Sequence, residues 1–131
     1  MQPTPEDYTE ICNVLAHYCL SLDHDDFEGW QACFTAEGGM YTYGRSFLGE
    51  KGLRKVMDTA PRGLHHGGPP AVKILGEDRA EVRQNLWFVD RVSRDTRCKV
   101  YEDEWHRTAD GWRIHPRTAR YLTPDGIADK P

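Results

Sequence analysis

RCKVYEDEWHRTADGWRIHPRTARYL, residues 97–122, consists of two runs of alternating apolar and polar side chains separated by Ala109-Asp110-Gly111. An Asp-Gly turn flanked by such alternation signals a β-hairpin and places strands at 97–107 and 111–122. Side chains on a strand point to opposite faces in turn. Tyr101, Asp103 and Trp105 therefore share one face, as do Trp112 and Ile114, while Glu102, Glu104, His106 and Arg113 take the outer one. Asp103 thus projects among aromatic rings. A carboxylate there is costly unless it is hydrogen-bonded, protonated or turned toward a wet cavity. This face of the sheet reads as a pocket rather than a sealed core.

Upstream of the hairpin, Ala80–Val92 reads as a long strand, Gly76-Glu77-Asp78 as a turn and Ala71–Leu75 as a short apolar strand. Leu64-His65-His66-Gly67-Gly68-Pro69-Pro70 is too rich in breakers for a helix interior or a central strand. Gly49 starts a helix that turns Leu53, Val56, Met57 and Ala60 inward, and Met40–Phe47 reads as one strand broken at Gly44. Asp25 or Asp26 caps a short helix with Phe27, Trp30, Cys33 and Phe34 facing the core, ended by Gly38–Gly39. The first helix has Thr4 as cap, Pro5 at its first position and Glu6 and Asp7 at its positive end. Tyr8, Ile11, Cys12, Leu15, Tyr18, Cys19 and Leu22 then recur at helical spacing, and the helix stops at Leu22–His24. Helices segregated from consecutive hairpin strands imply an α+β fold with one face of a curved sheet covered by helices.

The chain has 131 residues, 17 basic against 21 acidic, for a net charge of −4. One domain over 1–131 is expected, with its core at about 5–122. Such a domain buries roughly two-thirds of its unfolded surface and needs no metal or disulfide staple. The acidic balance argues against a nucleic-acid partner. No apolar run approaches the ~20 residues of a membrane span, and MQPTPEDYTE is too acidic for a secretory signal, so a soluble, cytoplasmic protein is expected. Cys12, Cys19, Cys33 and Cys98 include no CxxC pair, and no HExxH, GxSxG, P-loop or GxGxxG motif occurs. No metal site is expected. Four Trp, six Tyr and four Phe are many rings for so small an interior, and some are expected to line a cavity.

Four side chains stand out as candidates for chemistry. Asp23 falls where the first helix runs out, at the negative end of its macrodipole, where another negative charge is disfavoured by ~0.3–1 kcal/mol. An interhelical cap is the plainer reading of the same residue. His65 and His66 sit side by side at the start of a strand, so one points inward and the other out. Histidine suits proton transfer near neutrality. Tyr18 lies five residues before Asp23 on the buried stripe, and Asp103 lies among the sheet-face rings.

The element order, the helix ending Tyr18-Cys19-Leu20-Ser21-Leu22-Asp23, Gly44–Gly49 before helix three, Leu64-His65-His66-Gly67 and the final hairpin resemble the SnoaL-like branch of the nuclear-transport-factor-two-like superfamily. The resemblance covers about residues 5–122. It implies a cystatin-like α+β roll, a cone-shaped mixed or antiparallel sheet curved around helices that encloses a pocket. Tyr-x4-Asp plus a His before the second strand is similar to the bile-acid 7α-dehydratase and scytalone dehydratase pattern, and dehydrochlorinases share the Asp and His. By that resemblance Tyr18, Asp23 and His65 are catalytic, with His66 the alternative to His65. The implied activity is a cofactor-independent elimination, chiefly dehydration, on a small hydrophobic cyclic or polycyclic substrate. In it Asp23 orients His65, His65 takes a proton, and Tyr18, with Asp103 if protonated, donates to the developing charge or departing hydroxyl. Tyr43, Trp87, Tyr101, Trp105 and Trp112 are the expected walls of the substrate pocket. Dehydrochlorinases carry a lysine on helix one near Leu20 or Ser21, so halide elimination is the weaker reading. Pro69-Pro70 replaces a small polar residue and is expected to reshape the pocket mouth. The alternatives are a ketosteroid-isomerase-like isomerase or polyketide cyclase, and a non-catalytic binding or subunit-like module. A homo-oligomer, dimer or trimer, is expected through the outer sheet face.

Overall fold

In the computed structural model, which describes residues 1–131, the Thr4 hydroxyl accepts a hydrogen bond from the Asp7 amide at 3.1 Å, and helix α1 runs over Pro5–Asp23. Asp26 caps α2, Phe27–Gln31, by accepting from the Gly29 amide at 3.0 Å. There follow β1 (Gly39–Thr42), β2 (Arg45–Leu48), α3 (Gly49–Thr59), β3 (Gly63–Gly67) and β4 (Ala71–Ile74). The chain finishes with β5 (Arg79–Asp90), β6 (Thr96–Thr108), β7 (Gly111–Thr123) and β8 (Gly126–Ala128). The fold is α+β, as expected. Its eight-stranded sheet has the order β2-β1-β7-β6-β5-β3, with β4 also on β5 and β8 on β7. Every pairing is antiparallel except β1 with β7. No helix is long and apolar enough to cross a membrane.

Two local expectations need correction. Residues 40–47 form a hairpin rather than one broken strand: Tyr43 and Gly44 both take positive φ, 55° and 71°, as a tight two-residue turn requires. The second helix ends at Gln31, not at Gly38–Gly39. Phe34 instead bridges to Ile114, and Gly39 begins β1. The breaker-rich histidine segment, expected to be neither a helix interior nor a central strand, is β3 at the edge of the sheet.

The hairpin of β6 and β7 contains the feature that most shapes the interior. Asp103 pairs with Arg117 but Trp105 pairs with Ile114, so His115 and Pro116 together oppose Glu104. Pro116 has no N–H to donate to a ladder, and a bulge is where a sheet tolerates it. The bulge reverses the phase of β7. Trp112 and Ile114 point inward before it, and Arg117, Ala119 and Tyr121 point inward after it. Ile11, Leu15, Trp30, Leu53, Phe88, Trp105, Trp112 and Ile114 form the centre of the core between the helices and this face.

Candidate active site

Asp23 is the last residue of α1, and His65 lies two residues into β3. His65 Nδ1 lies 2.7 Å from Asp23 Oδ1, and the His65 amide donates to both carboxylate oxygens at 3.1 Å. A carboxylate can only accept, so Nδ1 carries the hydrogen and Nε2 keeps its lone pair. Both side chains are nearly enclosed, His65 at 10% and Asp23 at 13% exposure. The imidazole also rests on Phe88, with ring centroids 4.8 Å apart. His66, one residue on, is exposed and points away.

Burial is the largest influence on the His65 pKa and lowers it from the ordinary 6.5. The bond to Asp23 pulls the other way, and the charges of Lys99 and Arg117 press it down again. The imidazole is therefore neutral at pH 7, the form that can accept a proton.

His65 faces a cavity of about 340 Å³ that opens between α3 and the β1–β7–β6 face. Its walls are mostly apolar and include Leu22, Met40, Phe47 and Val56. Tyr18 and Tyr101 line it with ring centroids 5.8 Å apart. Burial raises the pKa of both phenols, so each stays protonated and able to donate. Tyr43 stands at the rim, where its hydroxyl accepts from Arg97 Nη1 at 2.6 Å. Tyr18, His65, Tyr43 and Tyr101 thus share one cavity, with Asp23 directly behind His65. A larger but more open groove of about 750 Å³ along the start of α1 holds none of these groups.

The other expected site residues lie elsewhere. Asp103 is sealed inside the sheet, where Arg117 donates to it through Nε at 2.9 Å and Nη2 at 2.7 Å, and Trp105 Nε1 donates at 3.1 Å. It accepts three N–H bonds and is the counter-ion of Arg117, not a donor facing the cavity. Trp105 and Trp112 are fully buried in the core, and Trp112 Nε1 donates to Asp7 at 3.0 Å. Trp87 is 49% exposed on the outer face of β5, because it is out of phase with Leu86 and Phe88. Pro69 and Pro70 line a separate cleft of about 450 Å³ between α1 and β3, which reaches Asp23 and His65 from behind. They do not shape the mouth of the 340 Å³ cavity.

Several groups in or beside the cavity escaped the sequence reading. Lys99 and Arg97 line it, and both lie in phase with Tyr101, so the alternation of β6 already held the signal. Arg117 is fully buried, its guanidinium 4.3 Å from the Tyr18 ring and 3.8 Å from the Tyr101 ring. Pro116 was the clue to the phase change that turns it inward.

The cystatin-like α+β roll, its curved sheet covered by helices over a cavity, is the architecture of the nuclear-transport-factor-two-like class. The SnoaL-like domain profile matches residues 3–118, and the chain belongs to that family. A function-unknown protein from Mycobacterium tuberculosis is 26% identical, with a TM-score of 0.77 over 85% of this chain and 73% of that one. A nuclear-transport-factor-two-like protein with a cystatin-like fold from Novosphingobium aromaticivorans is 25% identical, with a TM-score of 0.80 over 91% and 84%. A protein from the same organism, assigned provisionally as a scytalone dehydratase, has a TM-score of 0.74 over 92% and 85%; at 20% identity this shows the fold alone. No protein of curated function matches the chain significantly.

Proposed function

We propose that the chain is a cofactor-independent lyase of the dehydratase type, with His65 as base, Asp23 as its orienting partner and Tyr18 as proton donor. The observation that carries this reading is the 2.7 Å contact between Asp23 and His65 at the wall of a mostly apolar cavity. Nε2 takes a proton from carbon next to a carbonyl. The C–H electron pair becomes the new double bond by way of an enolate, and the C–O bond on the neighbouring carbon breaks. The hydroxide leaves as water with the Tyr18 proton, and the proton held on His65 restores the phenol. In a non-catalytic binding module Asp23 and His65 need not touch, so their contact favours an enzyme.

At about 340 Å³ the cavity lies at the small end of the ~300–1,000 Å³ range of ligand sites. A compact substrate of one or two rings fits it better than a polycyclic one. The second reading, an isomerase or cyclase, draws on Tyr18 and Tyr101 together, two protonated phenols suited to holding an enolate until its proton is returned. Mass analysis of product separates the two: loss of 18 Da (about one water) means lyase, retained mass means isomerase or cyclase. The exposed Trp87 fits the outer-face homo-oligomer that we also propose.

Asp23→Asn tests the pair. The Asn oxygen can still accept from the His65 amide, but its NH2 then faces Nδ1 and forces the proton onto Nε2. A loss of about 10²-fold or more in kcat with little change in KM is expected; an Asp23→Asn protein with an altered KM and an unchanged kcat would remove Asp23 from the reaction. The pH profile is a separate test. Because the His65 pKa is lowered, the active neutral base persists below pH 6.5. The rate should rise with pH along an acid limb centred below 6.5 and then level off. A limb centred above that value contradicts His65 as the base.

A further inference from the structure

The cavity has a one-sided charge. Arg62, Arg97 and Lys99 line it beside the neutral imidazole of His65, and no Asp or Glu does, although the chain as a whole carries −4. The two arginines have partners: Arg62 is paired with Asp25, and Arg97 donates to Tyr43. Lys99 differs. Its ammonium lies 5.2 Å from the Phe88 ring and 5.7 Å from the Tyr121 ring, and the charged groups that act on it most are Arg97 and Arg117, both cationic. Burial and those two charges lower its pKa to about 8, with only the Cys19 thiol acting in the other direction. A half-buried cation without a counter-ion is disfavoured in a folded protein, and an anion arriving in the cavity offsets that cost.

The register of the sheet fixes where such an anion would sit relative to the base. His65 pairs with Phe88, and Phe88 with Arg97, so the three side chains form one row across β3, β5 and β6. Lys99 pairs with Tyr121 in the neighbouring row. His65 and Lys99 thus flank the same Phe88 ring, one at 4.8 Å and the other at 5.2 Å.

We propose that the substrate is a compact carboxylic acid whose carboxylate is bound by Lys99, with Arg97 beside it, while its ring or chain lies along Phe88 toward His65. This rests on the lyase reading for the role of His65, but the binding claim stands on the cavity charge alone. Recognition is by charge-assisted hydrogen bonds from the ammonium, which are stronger than neutral ones. A neutral analogue of the same shape leaves Lys99 unpaired and binds less well.

The test is calorimetric binding of benzoate, phenylacetate and trans-cinnamate, each against its primary amide, to the full chain. At least one acid should bind about tenfold or more tighter than its amide. Lys99→Met, which keeps the side-chain length, should abolish that preference, and Lys99→Arg should restore most of it. Amides that bind as well as acids, an acid preference that survives in Lys99→Met, or no binding by either member of any pair would overturn the inference. His65→Ala should retain the acid preference. Loss of turnover in His65→Ala without any acid preference in the parent chain therefore defeats this inference alone. Unchanged turnover in His65→Ala with the preference intact defeats the base assignment alone.

Discussion

His65→Ala is expected to lower kcat by about 10²–10⁴-fold, the usual contribution of a positioned general base. The whole reaction sequence depends on one lone pair, that of Nε2, because Nδ1 is committed to Asp23 at 2.7 Å. No neighbour can replace it. His66 points out of the sheet, and Lys99 stays largely protonated at neutral pH with a pKa of about 8. The fold should survive the change. The side chain is near the sheet edge, and the backbone bonds of residue 65 to Asp23 do not need the imidazole. Steady-state kinetics with circular dichroism on the same preparation separates chemistry from folding. A folded His65→Ala protein that turns over at the parent rate would end the proposal of an Asp–His base. Asp23→Asn should act in the same direction, and the double variant should lose little more than His65→Ala, because the two residues work as a unit.

Asp103→Ala is expected to give the largest loss of stability of any single substitution considered, about 3–5 kcal/mol. The reason is the partner it leaves behind. Arg117 is fully buried between the Tyr18 and Tyr101 rings, and its only carboxylate is Asp103. Removing that carboxylate strands a guanidinium away from water and also deprives Trp105 Nε1 of its acceptor. Against a typical total of about 5–15 kcal/mol, such a loss lowers Tm by about 10–20 °C or prevents folding. Chemical denaturation measures it directly. Asp103→Leu combined with Arg117→Met should recover most of the stability, because an apolar pair of similar volume costs no desolvation of charge. Recovery in the double variant shows that the penalty comes from the unpaired charge. A single variant as stable as the parent would mean that the ion pair contributes nothing.

Much of the fold was legible because it depends on local rules. Thr4 and Pro5 start α1 by satisfying or lacking the first amides, and the spacing of Ile11, Leu15, Tyr18 and Leu22 sets its buried stripe. Asp110-Gly111 between alternating runs sets the long hairpin. The cavity side of β6 followed from the same alternation, which is why Tyr101 was placed correctly. The rule failed one turn later. Strict alternation from Trp112 puts Arg117 outside, whereas the bulge at His115-Pro116 turns it in.

The fate of Asp103 shows where sequence reading reaches its end. Alternation correctly placed it among rings on the inner face, and a buried carboxylate needs donors. Which donors was a matter of cross-strand register, and the register depends on the bulge. With Arg117 opposite, Asp103 becomes the anion of a buried pair instead of an acid facing substrate. Trp105 and Trp112 were likewise read correctly as inward, but facing inward does not distinguish core from cavity. That depends on how far the helices reach over each part of the sheet.

The sequence by itself determined the α+β class, the helix and strand that present Asp23 and His65, and the inward phase of β6, because capping, periodicity and turn chemistry act over a few residues. Only the tertiary structure decided that Asp23 meets His65 across 42 residues, that Asp103 is spent on Arg117, and that Lys99 faces a cavity without an acid. Those outcomes depend on strand register and on helix placement over the sheet, which are settled by packing between segments distant in the chain.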